Sequence, residues 1–438
     1  MPEKEDSQTW LAAEPWQDLN FVEEKLCTPA GLGDHLTVIK STVTKWTGHG
    51  GASGDMFLLT VETRVREKRE SSETTTHDLV LKATRPEGLQ GSKQVGLARE
   101  GVFLDRMTRV SDTRDPLFPL KVLLPKCLWA KGDMDLGGKA LVMEKIDGVQ
   151  SGYFFGKHSP HNWDVDVEAE TKDIGGVSEL DVCCLAAELG AILHARHIGD
   201  RSLLEDAENQ ECLRASKWFG GQGRESWEGT MGYAKSVWKD QWRPTIDEKG
   251  VQRFEGKEDT IEWPLSLVNL MDQSFEKVTW EAFQQSALVS EGRFTLVHGD
   301  FHPGNMIVTR KEKGLALVDW EVVGVGSGPQ DLGQYMVSHS HPSVRRQNQK
   351  AILDAYCKVF QTNLSEESFE QHFKKDEKLL REWVNREYAE GGVGRWIWLL
   401  PLCGLAFSPK KQQYFVNQVA ALLDDFPEIF DKVPLPRA

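Results

Sequence analysis

Apolar and polar residues alternate along three stretches in the first part of the chain, a pattern that marks strands with one face buried. The stretches cover 37–46, 56–65 and 78–84. A glycine-rich interruption, Gly48-His-Gly-Gly-Ala-Ser-Gly54, separates the first two, and a polar turn at 70–76 separates the others. The period then lengthens. Val95, Leu97, Val102, Leu104 and Met107 fall at spacings that predict one helix over 93–109. Two further strands are predicted at 127–130 and 139–146.

Beyond Gly148 the pattern is mainly helical. Leu185, Leu189, Ile192 and Leu193 predict a helix over 180–197, and 205–290 carries helical stretches with no strand signal. Short apolar strands are expected at 294–297, 306–309 and 315–319. From Asp331 onward the chain reads as helix, with Ser365 as N-cap of a segment running to Glu387. The expected organisation is an N-terminal helical extension (1–36), a β-rich lobe (37–146) and a larger, mainly helical lobe (147–438). The fold class is α+β. A crevice between two such lobes is a natural place for a nucleotide.

The 438 residues exceed one compact core, which agrees with more than one packed unit. The net charge of −15 disfavours phosphate backbones and anionic membranes as partners, so neither nucleic-acid binding nor membrane insertion is expected. The longest apolar run, 396–407, contains Pro401 and is too short to cross a bilayer. Seven scattered cysteines suit neither a zinc site nor a disulfide framework, and the acidic N-terminus lacks the apolar core of a signal peptide. A cytoplasmic location is the expectation.

The chemistry concentrates in His298-Gly-Asp-Phe-His-Pro-Gly-Asn305 and, after a short strand, Asp319-Trp-Glu. Phosphoryl transfer requires a carboxylate beside the acceptor hydroxyl, oxygen ligands for Mg²⁺ and a lysine for the phosphates. Asp300 and Asn305 have the Asp-x-x-x-x-Asn spacing of kinase catalytic loops, and Asp319 ends the strand that follows. Lys82 interrupts the apolar strand Leu79-Val-Leu-Lys-Ala, and Glu100 on the next helix can neutralise it. Gly48, Gly50, Gly51 and Ser53 can present backbone N–H groups to phosphates.

Plainer readings exist for each. Asp, Asn, Gly and Pro are turn residues in any polar hairpin. Lys82 can face solvent on an edge strand. The glycine stretch can be a simple turn. His298, Asp300 and His302 share one face if the segment is a strand, and would then form a metal-hydrolase site. The last reading leaves Lys82, Asn305 and Asp319 without roles. No Gly-x-x-x-x-Gly-Lys-Ser/Thr stretch is present, nor the His-Arg-Asp and Ala-Pro-Glu elements of protein kinases.

These motifs resemble the aminoglycoside phosphotransferase and choline kinase-like superfamily. The order of segments over roughly 40–350 agrees, and Gly-Ser-Gly-Pro-Gln-Asp331-Leu with Ser338-His-Ser-His-Pro is similar to its ecdysteroid-kinase-like branch. The resemblance implies a bilobal protein-kinase-like fold, ATP as donor, Mg²⁺ as cofactor and a small-molecule hydroxyl as acceptor. It implies Asp300 as catalytic base, Asn305 and Asp319 as Mg²⁺ ligands, and Lys82, paired with Glu100, as the phosphate contact. His298 and Asp331 would brace the catalytic loop, and backbone near Glu144 and Ile146 would meet adenine. Glu321 departs from the residues found elsewhere after the Asp-Trp pair. The competing class is a catalytically silent, kinase-like binding module. Tyr153, Phe154, Phe155, Trp163, Trp218, Trp227, Trp238, Trp242, Trp396 and Trp398 suggest an apolar or cationic acceptor.

Overall fold

The computed structural model describes residues 9–46, 54–66, 73–109, 124–254, 259–311 and 313–429. The chain divides into two compact units, one formed by 1–147 with 316–323, the other by 148–315 with 324–438. Gly48, Gly50, Gly51 and Ser53 of the glycine-rich stretch lie outside the described residues.

In the first unit, strands β1 (Leu36–Lys45), β2 (Gly54–Val65), β3 (Thr75–Thr84), β4 (Cys127–Asp133) and β5 (Gly138–Glu144) form one antiparallel sheet in the order β1-β2-β3-β5-β4. Alternation along β3 sends successive side chains to opposite faces. Leu79 and Leu81 join Trp16, Val22 and Leu26 in a buried cluster on one face, so the segment before β1 completes this core. Lys82 faces the other way, where helix α2 (Arg99–Arg109) packs Phe103, Leu104 and Met107; α1 is the earlier helix Leu19–Leu26. β3 lies between β2 and β5, which removes the edge-strand reading of Lys82.

One helix was expected over 93–109, and the structure has two. Leu89–Val95 ends at Gly96, whose φ of 72° sets a left-handed C-terminal turn, and α2 restarts at Arg99.

In the second unit, helix α3 (Glu179–His197) starts from a Ser178–Asp181 capping box and is buried along most of its length. It packs along α5 (Pro342–Asn363) and touches α4 (Gly328–His339). A long helix, α6 (Glu377–Cys403), crosses α4, and α7 (Pro409–Asp425) packs on α6. Glycines set the α4–α6 approach: a Cβ on Gly333 would meet Tyr388 O at 2.4 Å, and one on Gly391 would meet Gln330 Cβ at 2.6 Å.

Two expectations fail here. The segment from Ser365 to Glu387 is not one helix. Ser365 caps Glu366–Phe373, positive φ at Lys374 and Lys375 ends it, and Asp376 caps α6. The stretch 205–290 also holds a small antiparallel ribbon, Val251–Arg253 with Thr260–Glu262, each strand too short for alternation to show. No helix among the described residues is long and apolar enough to cross a membrane.

Candidate functional site

Each unit holds one set of the residues singled out from the sequence. In the first, Lys82 is buried on the α2 side of the sheet. Its Nζ lies 2.8 Å from Glu100 Oε2, 2.8 Å from Asp319 Oδ1 and 3.0 Å from Glu321 Oε1. A second ammonium, that of Lys139 at the start of β5, is fully buried and bonds to Glu100 and Glu321. The remaining oxygen of Glu100 accepts the Trp320 backbone N–H at 3.1 Å. Trp320 stacks on Phe103 of α2 with ring centroids 5.3 Å apart, which anchors the segment between Asp319 and Glu321. Asp319 itself has φ of 67°, a conformation that L residues rarely adopt outside turns and functional sites.

Three carboxylates face two ammoniums here, which leaves one negative charge uncompensated. Glu100 is penalised by burial, but Lys139 and Lys82 outweigh that and hold its pKa down to about 2. Burial works against the Lys82 charge, yet Asp319, Glu100 and Glu321 drive its pKa well above the usual value. The excess charge falls on Asp319, which contacts one lysine where Glu100 and Glu321 each contact two. Burial, opposed by Lys82 and reinforced by Glu100 and Glu321, raises its pKa to about 6. Oxygen atoms of Glu100, Asp319 and Glu321 lie within 4.8 Å of one another, and this is the group of His, Cys, Asp and Glu side chains that can hold a metal among the described residues. An all-carboxylate donor set with surplus negative charge fits a hard divalent cation such as Mg²⁺.

The second unit carries the Asp300 loop between strands Thr295–Val297 and Met306–Thr309. The segment is not extended. Gly299 has φ of 79° and Pro303–Asn305 forms a single tight turn, so the strand that a hydrolase site needs does not exist. Both histidines of that reading point their rings at backbone. His298 Nδ1 accepts the Asp300 N–H at 3.3 Å, and His302 Nδ1 accepts the Gly304 N–H at 3.0 Å. Asp331, fully buried, accepts the His298 backbone N–H at 2.9 Å and lies 3.5 Å from His194 Nε2. Phe301 is buried against Tyr335 and the rings of His194 and His298.

This framework fixes the Asp300 carboxylate. Asn305 Nδ2 donates to Asp300 Oδ2 at 3.1 Å and to its carbonyl at 3.0 Å, and Gln334 Nε2 donates to Oδ1 at 3.0 Å. His302 Nε2 lies 3.4 Å from Oδ2. Burial alone would raise the pKa of Asp300. The charges of His302, Arg395 and His298 and the His302 hydrogen bond reverse that, and its pKa is held well below the carboxylate range. The turn is clamped by Gln150, which donates to Gly304 O at 2.7 Å, and by Ser151, which donates to Pro303 O at 3.0 Å.

Glu144 is the last residue of β5 and its N–H donates to Lys126 O at 2.9 Å, so that atom is engaged within the first unit. Ile146 follows in the segment before Gly148.

Sequence reasoning missed Lys139, Glu321 and Gln334. Lys139 interrupts a buried strand as Lys82 does, and Glu321 stands two residues from Asp319, so both left a signal. Gln334 left none.

Among solved structures, the chain is similar to the choline kinase LicA from Streptococcus pneumoniae at 14% identity, covering 92% of this chain and 98% of that one with a TM-score of 0.40. It is similar to a choline/ethanolamine kinase family protein from Mesorhizobium loti at 13% identity, covering 90% and 92% with a TM-score of 0.41. An aminoglycoside-3'-phosphotransferase of type VIII shares 16% identity over 78% of this chain and 93% of that one, with a TM-score of 0.35. No curated protein matches. Residues 183–365, the segment that holds Asp300, Asn305, Asp319, Glu321 and Asp331, match the phosphotransferase enzyme family.

Proposed function

We propose that the chain is an ATP- and Mg²⁺-dependent phosphotransferase acting on a hydroxyl group of a small molecule. The observation that carries this reading is the meeting of Lys82 with Glu100 and Asp319, each at 2.8 Å, in a buried cluster with an excess of carboxylate. A structural ion pair needs one partner for one lysine. A cluster that keeps a surplus carboxylate at a left-handed residue is better explained by a cation and a polyphosphate. Similarity to the phosphotransferase enzyme family supports the same reaction.

In this reading Lys82 meets the nucleotide phosphates while Glu100 and Lys139 fix its position. Asp319 and Glu321 are the residues that would hold Mg²⁺, which when bound neutralises phosphate charge. Asp300 faces the acceptor hydroxyl. Its low pKa makes it a weak base, so it orients the hydroxyl as a hydrogen-bond acceptor and takes the proton late, as a loose phosphoryl-transfer transition state permits. His298, Asp331 and Gln334 hold Asp300 in place.

The test is ADP release on incubation with ATP, Mg²⁺ and pooled hydroxyl metabolites, for the wild type and Asp300→Asn. Turnover that falls by about 10²–10⁴ in the variant supports the assignment. Binding of Mg·ATP with no ADP release from any pool would favour the silent binding module instead.

A further inference from the structure

The charge of a buried guanidinium with two unpartnered donors reaches Asp300. Arg395, on α6 one turn past Gly391, is 3% exposed, and its Nε and Nη1 have no hydrogen-bond partner. The carboxylates whose charge reaches it are Asp300 and Asp331. Neither forms an ion pair with it: Asp300 is held by Asn305 and Gln334, and Asp331 takes the His298 N–H on Oδ2 and leaves Oδ1 unpartnered, out of reach of the guanidinium. Cys403, two turns further along α6, has Asp300, Arg395 and Lys411 as its charged neighbours, which places Lys411 in the same group. The Lys411 ammonium rests over the Phe407 ring at 4.3 Å and is half-buried.

A buried guanidinium with two unsatisfied donors is costly, because it gives up water without gaining an acceptor. Folded proteins keep such groups where a ligand supplies the missing partner. The planar fork of an arginine matches a carboxylate or a phosphate, which takes two parallel N–H donors.

Taking the proposed phosphotransferase activity as its basis, we propose that Arg395, with Lys411, receives a carboxylate or phosphate group carried by the acceptor, so that the substrate is an anionic alcohol. This departs from the apolar or cationic acceptor that the aromatic residues suggested, because an unpaired guanidinium whose charge reaches Asp300 repels an amino alcohol. Trp396 and Trp398 are buried in the helix packing on either side of Ile397.

Thermal-shift and calorimetric titrations of the full chain test this with D-glycerate, glycerol 3-phosphate, inorganic phosphate, choline, ethanolamine and ADP. Wild type, Arg395→Met and Arg395→Lys are compared. The unliganded Met variant is expected to melt at or above the wild-type temperature, since an unpaired buried charge is gone. It should bind glycerate or glycerol 3-phosphate about 10–100-fold more weakly, with the Lys variant between, and its response to ADP should be unchanged. Several results would overturn the proposal: stabilisation by choline or ethanolamine but not by the anions, no response to any anion, or a Met variant that melts lower yet keeps its anion response. Loss of the ADP response in the Met variant would reassign Arg395 to the nucleotide phosphates and overturn it too. ADP release is measured in parallel with the same compounds. Anion binding that depends on Arg395, with no ADP formed from any alcohol, removes the phosphotransferase reading and leaves the anion site standing.

Discussion

Lys139 and Lys82 bond to the same oxygen of Glu100, Oε2, from two strands that pair in the sheet. Two ammoniums on one carboxylate are tolerable only because Glu321 and Asp319 supply further negative charge around them. Lys139 is therefore as much a part of the cluster as Lys82, although it bonds to the two glutamates.

Removing one member should be felt as an uncompensated buried charge. Lys139→Met leaves three carboxylates against one ammonium and is expected to lower unfolding free energy by about 3–5 kcal/mol. Adding Glu100→Gln returns the cluster to two carboxylates and one ammonium, the same surplus as in the wild type. The double variant should recover a large part of that loss in urea denaturation. A double variant less stable than Lys139→Met would show that the cluster is held by geometry and not by charge balance.

Gln334 gives a prediction of a different kind, because its amide donates directly to the carboxylate. Gln334→Glu places a second carboxylate within hydrogen-bond distance of Asp300 Oδ1, where the amide now lies at 3.0 Å. A like charge at that range raises the Asp300 pKa from its depressed value. The acid limb of the pH–rate profile should move to higher pH, because Asp300 must be ionised to accept the hydroxyl proton. Gln334→Leu removes the donor without adding charge, and should reduce turnover by about ten-fold or more at constant KM for ATP. An unmoved acid limb in the Glu variant would separate Gln334 from the chemistry.

How much of this was readable in advance depended on distance along the chain. The Asp300 loop was legible because most of its hydrogen bonds are local: His298 to Asp300, His302 to Gly304, Asn305 to Asp300. Lys82 was legible because a lysine inside an alternating apolar strand conflicts with burial and so requires a partner. Lys139 carried the same conflict, but it stands second in its strand, directly after two glycines, where a polar residue arouses no objection. Gln334, Gln150 and Ser151 reach the loop from far along the chain, and a glutamine on a helix looks the same in sequence whether it faces solvent or a carboxylate. The break at Gly96 and the one at Lys374–Lys375 were hidden for another reason. Apolar spacing continued across both, and only the left-handed backbone interrupts the helices.

The α4–α6 crossing offers a test of positioning. Gly333 lies between Asp331 and Gln334, and an added Cβ would meet Tyr388 O at 2.4 Å and Gly392 Cα at 2.9 Å, both backbone atoms that cannot turn aside. Gly333→Ala should cost about 1–3 kcal/mol through overpacking. The helices must separate to admit the methyl group, which carries Gln334 away from Asp300. Turnover should fall by more than the fraction unfolded explains, measured at a temperature where circular dichroism shows the variant still folded. Gly391→Ala meets Gln330 Cβ, a side chain that can shift, and should be milder on both counts.

Acid sensitivity follows from the histidines beside the loop. His339 on α4 is fully buried, its ring stacked on His161 with centroids 4.7 Å apart. Its Nδ1 pairs with Ser338 Oγ at 2.9 Å, and its Nε2 has no partner. Burial, with smaller contributions from the charges of His161, His302 and Lys411, holds its pKa well below that of a free imidazole. The sign follows from proton counting. Between the unfolded pKa, about 6.5, and the lower folded value, the unfolded chain binds a proton that the folded chain does not. His339 therefore favours the folded state fully above that range, and its contribution is lost progressively as pH falls below about 6.5. The melting temperature of the wild type should drop between pH 7 and pH 5, and His339→Gln, which cannot titrate, should drop less over the same interval. The comparison is one of slopes, so a uniform destabilisation of the variant does not affect it. Equal slopes would mean that His339 accepts its proton without cost in the folded chain, which its burial and unpartnered Nε2, stacked between the rings of His161 and His302, argue against.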